Sequence, residues 1–167
     1  FDTDAVNDWI ELYNDSISAV NVGGWYLRSA TTGVYNSIPL GITIPAKHYL
    51  VLCRSLTEFN NHNYDTDVSQ TIQIADLDFA DGGDTLTLMK NPTTKQAQVY
   101  YNRSFGANTV NSGNSLEAYN PTKTGGEASY TAIDENFDTS LTANGTPGVA
   151  NSISIYKYGL IDGTLDI

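Results

Sequence analysis

The sequence has little charge and very few basic residues. Asp, Glu, Lys and Arg make up only 16% of the 167 residues, and 8 Lys plus Arg stand against 19 Asp plus Glu, which gives a formal net charge of −11. Nucleic-acid binding needs basic side chains that neutralise phosphates and release their counterions. This composition therefore argues against a nucleic acid as partner.

Long apolar runs are also missing. The most continuous one, at residues 48–53, is far shorter than the roughly 20 residues that a membrane-spanning helix needs, so we expect no insertion into a membrane. Hydrophobic residues still make up 40% of the chain. That fraction is enough for one globular domain with a sizeable core, and the chain is too short for two full domains.

The chain has a single cysteine, Cys53, which cannot form a disulfide with another residue of the same chain. It lies in an apolar run, so we predict a buried, unreactive thiol. The compartment must be judged from the rest of the composition. Abundant Asn, Thr, Ser, Asp and Gly favour an extracellular or cell-surface β-protein, with the periplasm as a further option. The chain starts at Phe1 rather than Met, as expected for a segment of a longer protein.

Apolar and polar residues alternate with a period of two along most of the chain, and no long amphipathic helix is visible. The pattern predicts an all-β sandwich or barrel, with one helical turn near residues 56–59 and a bulge or a corner at 75–76. The predicted strands are residues 9–13, 25–28, 41–45, 48–53, 71–74, 77–79, 84–89, 96–101 and 115–119. Residues 152–156 form either a final strand or the start of a linker.

Five short motifs occur in a recognisable order, at residues 8–14, 22–27, 38–52, 81–88 and 146–151. They resemble the "E-W-I-E-L-Y-N", "L-S-G-W-x-L", "I-P-x-G-T-x-I-x-A-G-x-Y-L-V-L", "G-D-T-V-x-L" and "T-P-G-x-x-N" segments of the lamin-tail domain. That family is an immunoglobulin-like β-sandwich of nuclear lamins and of bacterial and archaeal surface proteins. No single motif is specific, and the argument rests on their order.

The resemblance implies an immunoglobulin-like β-sandwich over residues 1–151, with a long excursion at 102–140. Residues 152–167 would then be a final strand or a linker to a following domain. The family's first strand, which reads like "I-N-E-I", has only residues 1–6 to correspond to it, so it is either truncated or degenerate. The charge of −11 points to the prokaryotic, surface-associated branch.

No catalytic signature accompanies these motifs. His48 and His62 lie outside any nucleophile elbow, zinc motif or phosphate loop, and Glu11 has no visible carboxylate partner for glycoside hydrolysis. We therefore expect a non-enzymatic module that binds a protein or a cell-surface polysaccharide, or that positions neighbouring domains. The alternatives are a carbohydrate-binding module and a calcium-dependent adhesion domain.

Aromatic side chains are the candidate ligand contacts, because flat rings stack on sugars. Both tryptophans, Trp9 and Trp25, fall on motif strands and are assigned to the core. Exposed tyrosines are better candidates, and the ones selected are Tyr100, Tyr119 and Tyr130.

Calcium is the one cofactor considered, since clustered carboxylates supply the oxygen ligands that it needs. The candidate ligands are Asp65, Asp67, Asp76, Asp78 and Asp81. Their spacing does not fit an EF-hand loop. The simpler interpretation of residues 81–84 is a turn that precedes a strand.

Overall fold

The structure is a computed structural model that describes residues 8–62, 70–80, 83–102, 115–118 and 137–153. Apart from one short helix, its regular elements are β-strands, which confirms the all-β prediction. They are β1 Trp9–Tyr13, β2 Val20–Asn21, β3 Tyr26–Ser29, β4 Tyr35–Ser37, β5 Thr43–Ile44, β6 Tyr49–Cys53, α1 Leu56–Asn61, β7 Thr71–Gln73, β8 Gly83–Asn91, β9 Thr94–Asn102, β10 Leu116–Ala118 and β11 Phe137–Thr139. No helix in the described part of the chain is long and apolar enough to cross a membrane.

Two larger sheets organise the described strands. One has the order β1-β6-β7, with β1 antiparallel and β7 parallel to the central strand β6. The other is antiparallel, with the order β4-β3-β8-β9. Two small pairs, β2-β5 and β10-β11, complete the pairing. The strands predicted at 84–89 and 96–101 are confirmed as β8 and β9, and they form a hairpin that turns at residues 92–93.

The main core lies between the two larger sheets. Alternation along the strands brings Ile10 and Leu52 of the first sheet into one buried cluster with Leu27, Leu86 and Leu88 of the second. Leu52 has no exposed surface at all. Burial of such side chains is the main stabilising contribution to a sandwich of this kind.

A second, smaller cluster lies on the opposite face of β6. Trp9, Val51 and Cys53 pack there against Phe59 of α1, and the rings of Trp9 and Phe59 meet nearly edge-on with centroids 5.9 Å apart. Ser55 caps the helix by accepting a hydrogen bond from the Glu58 N–H. Both faces of β6 are therefore covered, which explains its continuous apolar sequence.

This second cluster also decides the role of the cysteine. Cys53 is fully buried, and the burial raises the pKa of its thiol to about 11. A thiol with a pKa that high is protonated at neutral pH and is a poor nucleophile. The predicted core roles of Cys53 and Trp9 are confirmed.

One predicted strand is wrong. Residues 77–79 alternate in burial, with Leu77 and Phe79 buried, but they form no ladder. Their backbone bonds go elsewhere, because the Leu77 N–H donates to the Ile74 carbonyl and the Phe79 N–H to the Asp8 carboxylate. The turn at 75–76 is present, as predicted, and it is this turn that removes the chain from the sheet.

Other strands differ in length or were missed. The element predicted at 41–45 is only Thr43–Ile44, since Pro45 follows directly and lacks the N–H that a ladder needs. The strands Val20–Asn21, Tyr35–Ser37 and Phe137–Thr139 are too short and too polar to show a period. Ser152 and Ile153 lie in a turn, and residues 154–156 lie outside the described part, so the predicted domain end at 151 stays a prediction.

Candidate functional site

The outer face of the four-stranded sheet carries a group of aromatic, amide and basic side chains. Because Leu27, Leu86 and Val99 point into the sandwich, the residues that alternate with them point away from it. Six of these outward residues are called the tyrosine face here: Tyr26, Arg28, Tyr35, Lys95, Gln98 and Tyr100.

Strand register places part of this face in one row. Arg28 pairs with Tyr35 on one side and with Thr87 on the other, and Thr87 pairs in turn with Gln98. The row thus crosses all four strands. Cross-strand neighbours of this kind are close enough for their side chains to touch.

The aromatic end of the row is open to solvent. The rings of Tyr26 and Tyr35 have centroids 5.5 Å apart, and the Arg28 guanidinium carbon lies 5.7 Å from the centroid of the Tyr35 ring. Tyr35 is 59% exposed, and Arg28 is exposed as well. The Tyr35 ring is therefore oriented by two neighbours and still accessible.

The other end of the row is polar. A register shift between Leu88 and Met89 pairs Met89 with Lys95, so Lys95 lies on the same face as Gln98 although the two are three residues apart. The Lys95 amine donates to the Gln98 side-chain oxygen over 2.9 Å. Gln98 donates in turn to the Thr87 hydroxyl over 3.2 Å.

Carboxylates are absent from this face within the described strands. In β3, β4, β8 and β9 the one acidic residue is Asp84, which is buried. Its carboxylate accepts hydrogen bonds from the Ser29 hydroxyl and from the Thr31 and Thr85 N–H groups. Asp84 therefore fixes the turn after β3, and the tyrosine face carries the cations Arg28 and Lys95 without a nearby described carboxylate.

A second candidate site lies beside β1, where a cavity of about 430 Å³ is lined mainly by apolar side chains and also by two glutamates, Glu11 and Glu117. Glu117 is buried and accepts three hydrogen bonds. The Thr146 hydroxyl donates to it over 2.6 Å, and the Ser152 N–H and hydroxyl each donate over 2.7 Å. Glu11 accepts a hydrogen bond from the Gly148 N–H.

Burial changes the titration of Glu11. Loss of hydration raises its pKa to about 7, the hydrogen bond from the Gly148 N–H opposes that rise, and the charge of Glu117 adds to it. A protonated carboxyl of this kind is a common feature of active sites, but a structural network produces the same shift. Here one oxygen of Glu11 and both oxygens of Glu117 accept hydrogen bonds from residues 146–152 of the same chain.

The same segment is held by close packing. Gly145 has a φ of +97°, and a Cβ placed on it would lie 2.2 Å from the Ser115 hydroxyl oxygen. Asn151 donates to the Ala118 carbonyl over 2.8 Å. The closing motif at 146–151 is therefore bound to β1 and β10 by contacts that leave no room for a larger residue at 145.

The structure brings together few of the predicted site residues. Tyr100 lies on the tyrosine face and is 39% exposed, whereas Tyr119 and Tyr130 lie outside the described residues. The sequence analysis missed Tyr35, because the strand Tyr35–Ser37 shows no apolar period. The electrostatic interaction of Glu11 with Glu117 was not predicted either, because the two residues lie more than 100 positions apart and no sequence pattern links them.

Of the predicted calcium ligands, the structure describes Asp76 and Asp78. Asp76 is exposed, and the Asp78 carboxylate lies 3.4 Å from the Arg54 guanidinium. Asp65, Asp67 and Asp81 lie outside the described residues. No group of three metal-binding side chains occurs among the residues that the structure does describe, and the calcium site stays a prediction.

Two larger β-sheets with the main apolar core packed between them define an immunoglobulin-like β-sandwich. The chain belongs to the lamin tail domain family, whose sequence model, described as Lamin Tail Domain, matches residues 1–103. No curated protein and no solved structure matches the chain. The first four motifs lie within the matched range. The closing motif lies beyond it, but its Gly148 is bound to Glu11 of the first motif.

Proposed function

We propose that this domain is a non-enzymatic attachment module of a secreted or cell-surface prokaryotic protein, which binds a protein or a surface polysaccharide and positions neighbouring domains. The observation that carries the proposal is the tyrosine face. It is an outward sheet surface with an exposed, oriented ring at Tyr35 and two cations, Arg28 and Lys95.

The glutamates support the same proposal. A glycosidase needs two carboxyl groups free to reach a glycosidic bond, one as acid and one as nucleophile or base. Glu117 instead accepts three hydrogen bonds from residues 146 and 152, and Glu11 accepts one from Gly148. These side chains bind the closing segment, which is a structural role. The family is one of immunoglobulin-like domains rather than of enzymes.

The test is retention of the purified domain on washed bacterial cell envelopes in a sedimentation assay. We expect the wild-type domain to sediment with the envelopes and the double variant Arg28→Gln/Tyr35→Ala to stay in the supernatant. Lys47→Gln is the matched control, because it removes one exposed positive charge from a residue outside the face.

Two results would contradict the proposal. The first is equal sedimentation of the wild type and the double variant. The second is robust turnover of a hydrolase substrate by the isolated domain, abolished by Glu11→Gln. Circular dichroism of each variant verifies that the comparison is made between folded proteins.

A further inference from the structure

We propose that the tyrosine face binds an anionic polysaccharide, whose sugar rings carry carboxylate or sulfate groups and whose chain lies across β4, β3, β8 and β9. The inference rests on the proposed attachment function and specifies its ligand class. Three features of the face support it, which are its length, its exposed tyrosine rings and its positive charge.

The size of the face suits an extended chain. Neighbouring strands lie about 4.7–4.9 Å apart, so the row from Tyr35 through Arg28 and Thr87 to Gln98 spans roughly 14 Å across three inter-strand steps. A surface of that length accommodates a short run of linked sugar rings. A single small molecule would contact only one end of it.

Ring stacking is provided at one end. A pyranose presents C–H groups on its face, and these pack against an aromatic ring whose hydroxyl remains available for hydrogen bonding. Tyr35 offers such a ring with 59% of its surface exposed, and Tyr26 lies beside it at a centroid distance of 5.5 Å. The Arg28 guanidinium carbon lies 5.7 Å from the Tyr35 ring centroid, within the range of a cation–π interaction that orients the ring.

The positive charges of Arg28 and Lys95 favour a ligand with anionic groups. Arg28 has a forked guanidinium that matches a carboxylate or sulfate with paired hydrogen bonds. The Lys95 ammonium has three donor hydrogens, of which the bond to Gln98 uses one. Because the described strands of this sheet expose no carboxylate, an anionic ligand meets attraction here, whereas the molecule as a whole carries a net charge of −11.

The local cations act at short range. Screening at physiological ionic strength limits exposed charges to about 8 Å, so Arg28 and Lys95 dominate the field at this face despite the acidic remainder. Tyrosine and arginine are also enriched at protein interfaces, so binding to a protein is the alternative outcome of the test.

The experiment measures affinity for four soluble polymers by calorimetric titration and affinity electrophoresis. Polygalacturonate and dextran sulfate represent the carboxylate and sulfate classes, dextran is the neutral counterpart, and serum albumin is an acidic protein control. We expect binding to at least one anionic polysaccharide, no binding to dextran or albumin, and weaker binding as NaCl is raised.

Variants assign the binding to the face. Arg28→Gln and Tyr35→Ala should each weaken the affinity about tenfold, consistent with loss of one charge-assisted or stacking contact. Lys47→Gln should leave it unchanged although it removes the same unit of positive charge, which would show that the net charge of the domain does not account for the binding. Because both test residues are exposed, an unchanged Tm is expected for each variant.

The outcomes separate this inference from the proposed function. Equal binding of dextran and polygalacturonate, with loss in Tyr35→Ala alone, overturns the anionic specificity and leaves an attachment function. If the domain binds none of the polymers but its retention on envelopes still depends on Arg28 and Tyr35, the polysaccharide proposal is wrong and the ligand is a protein. Envelope retention that is insensitive to both residues overturns the proposed function as well.

Discussion

Among single residues, Glu11 has a raised pKa that its position in the sequence does not predict. It alternates with Ile10 and Leu12 on β1, so a simple amphipathic reading would place it in water. It is half-buried instead, beside residues 146–152, and the loss of hydration raises its pKa to about 7. Burial by a distant segment, rather than local sequence, decides its chemistry.

The raised pKa makes stability depend on pH. Between the ordinary value of 4.5 and about 7, the folded protein holds a proton on Glu11 that the unfolded chain has released. The contribution of Glu11 to the unfolding free energy is therefore fully present below pH 4.5 and is lost as the pH rises through about 7.

Glu11→Gln removes this titration and keeps an acceptor oxygen for the Gly148 N–H. We expect the Tm of the variant, relative to that of the wild type, to increase as the pH is raised across this window. Thermal unfolding at a series of pH values measures the difference. Parallel pH profiles for the two proteins would contradict the assignment.

The hydrogen bonds that Glu117 accepts should stabilise the folded domain. Glu117→Ala leaves the Ser152 N–H and the Thr146 hydroxyl without their acceptor, and we expect a loss of about 2–4 kcal/mol in unfolding free energy. Glu117→Gln is the matched control, because it keeps the size and one acceptor oxygen and should lose less. Urea denaturation measures both, and equal losses would show that the hydrogen bonds are not the cause.

At the scale of elements, the sequence predicts the long strands well and the short ones badly. β1, β6 and the hairpin β8-β9 are visible because each buries alternating or continuous apolar residues. Residues 77–79 show the same alternation without a strand, since burial alone does not require a ladder. β4 was missed because Tyr35–Ser37 is polar, and the exposed end of the tyrosine face was missed with it.

The packing of the closing segment can be tested at Gly145. Gly145→Ala should destabilise the domain by more than about 2 kcal/mol, because it combines an unfavourable φ of +97° with a contact to Ser115. Gly33→Ala is the matched control. Its φ is +71°, but nothing lies within 4 Å of an added Cβ, so it should lose only about 1 kcal/mol. Similar losses in chemical denaturation would mean that the segment does not pack tightly.

At the scale of the whole molecule, the sequence gives the fold class and leaves the ligand open. Ordered motifs identify the sandwich, and the family match at residues 1–103 supports them. The tyrosine face depends on the pairing of four strands, which no local pattern in the sequence encodes. The net charge of −11 is distributed so that one sheet face carries cations and no described carboxylate.

Calcium binding would affect the stability of the whole domain. If the acidic residues between Asp65 and Asp81 bind calcium in the folded state, millimolar CaCl2 should raise the Tm and EDTA should lower it. Magnesium at the same concentration is the control for ionic strength. An unchanged Tm in all three conditions would remove the hypothesis, and the ion pair between Asp78 and Arg54 would then be the main role of Asp78.

In our proposal, the outer face of the four-stranded sheet is the attachment surface. The most direct test is the affinity of the folded domain for polygalacturonate and dextran sulfate, compared between the wild type, Arg28→Gln, Tyr35→Ala and Lys47→Gln. We expect about tenfold weaker binding in the first two variants and unchanged binding in the third. Equal affinity of all four proteins for both polymers would contradict it.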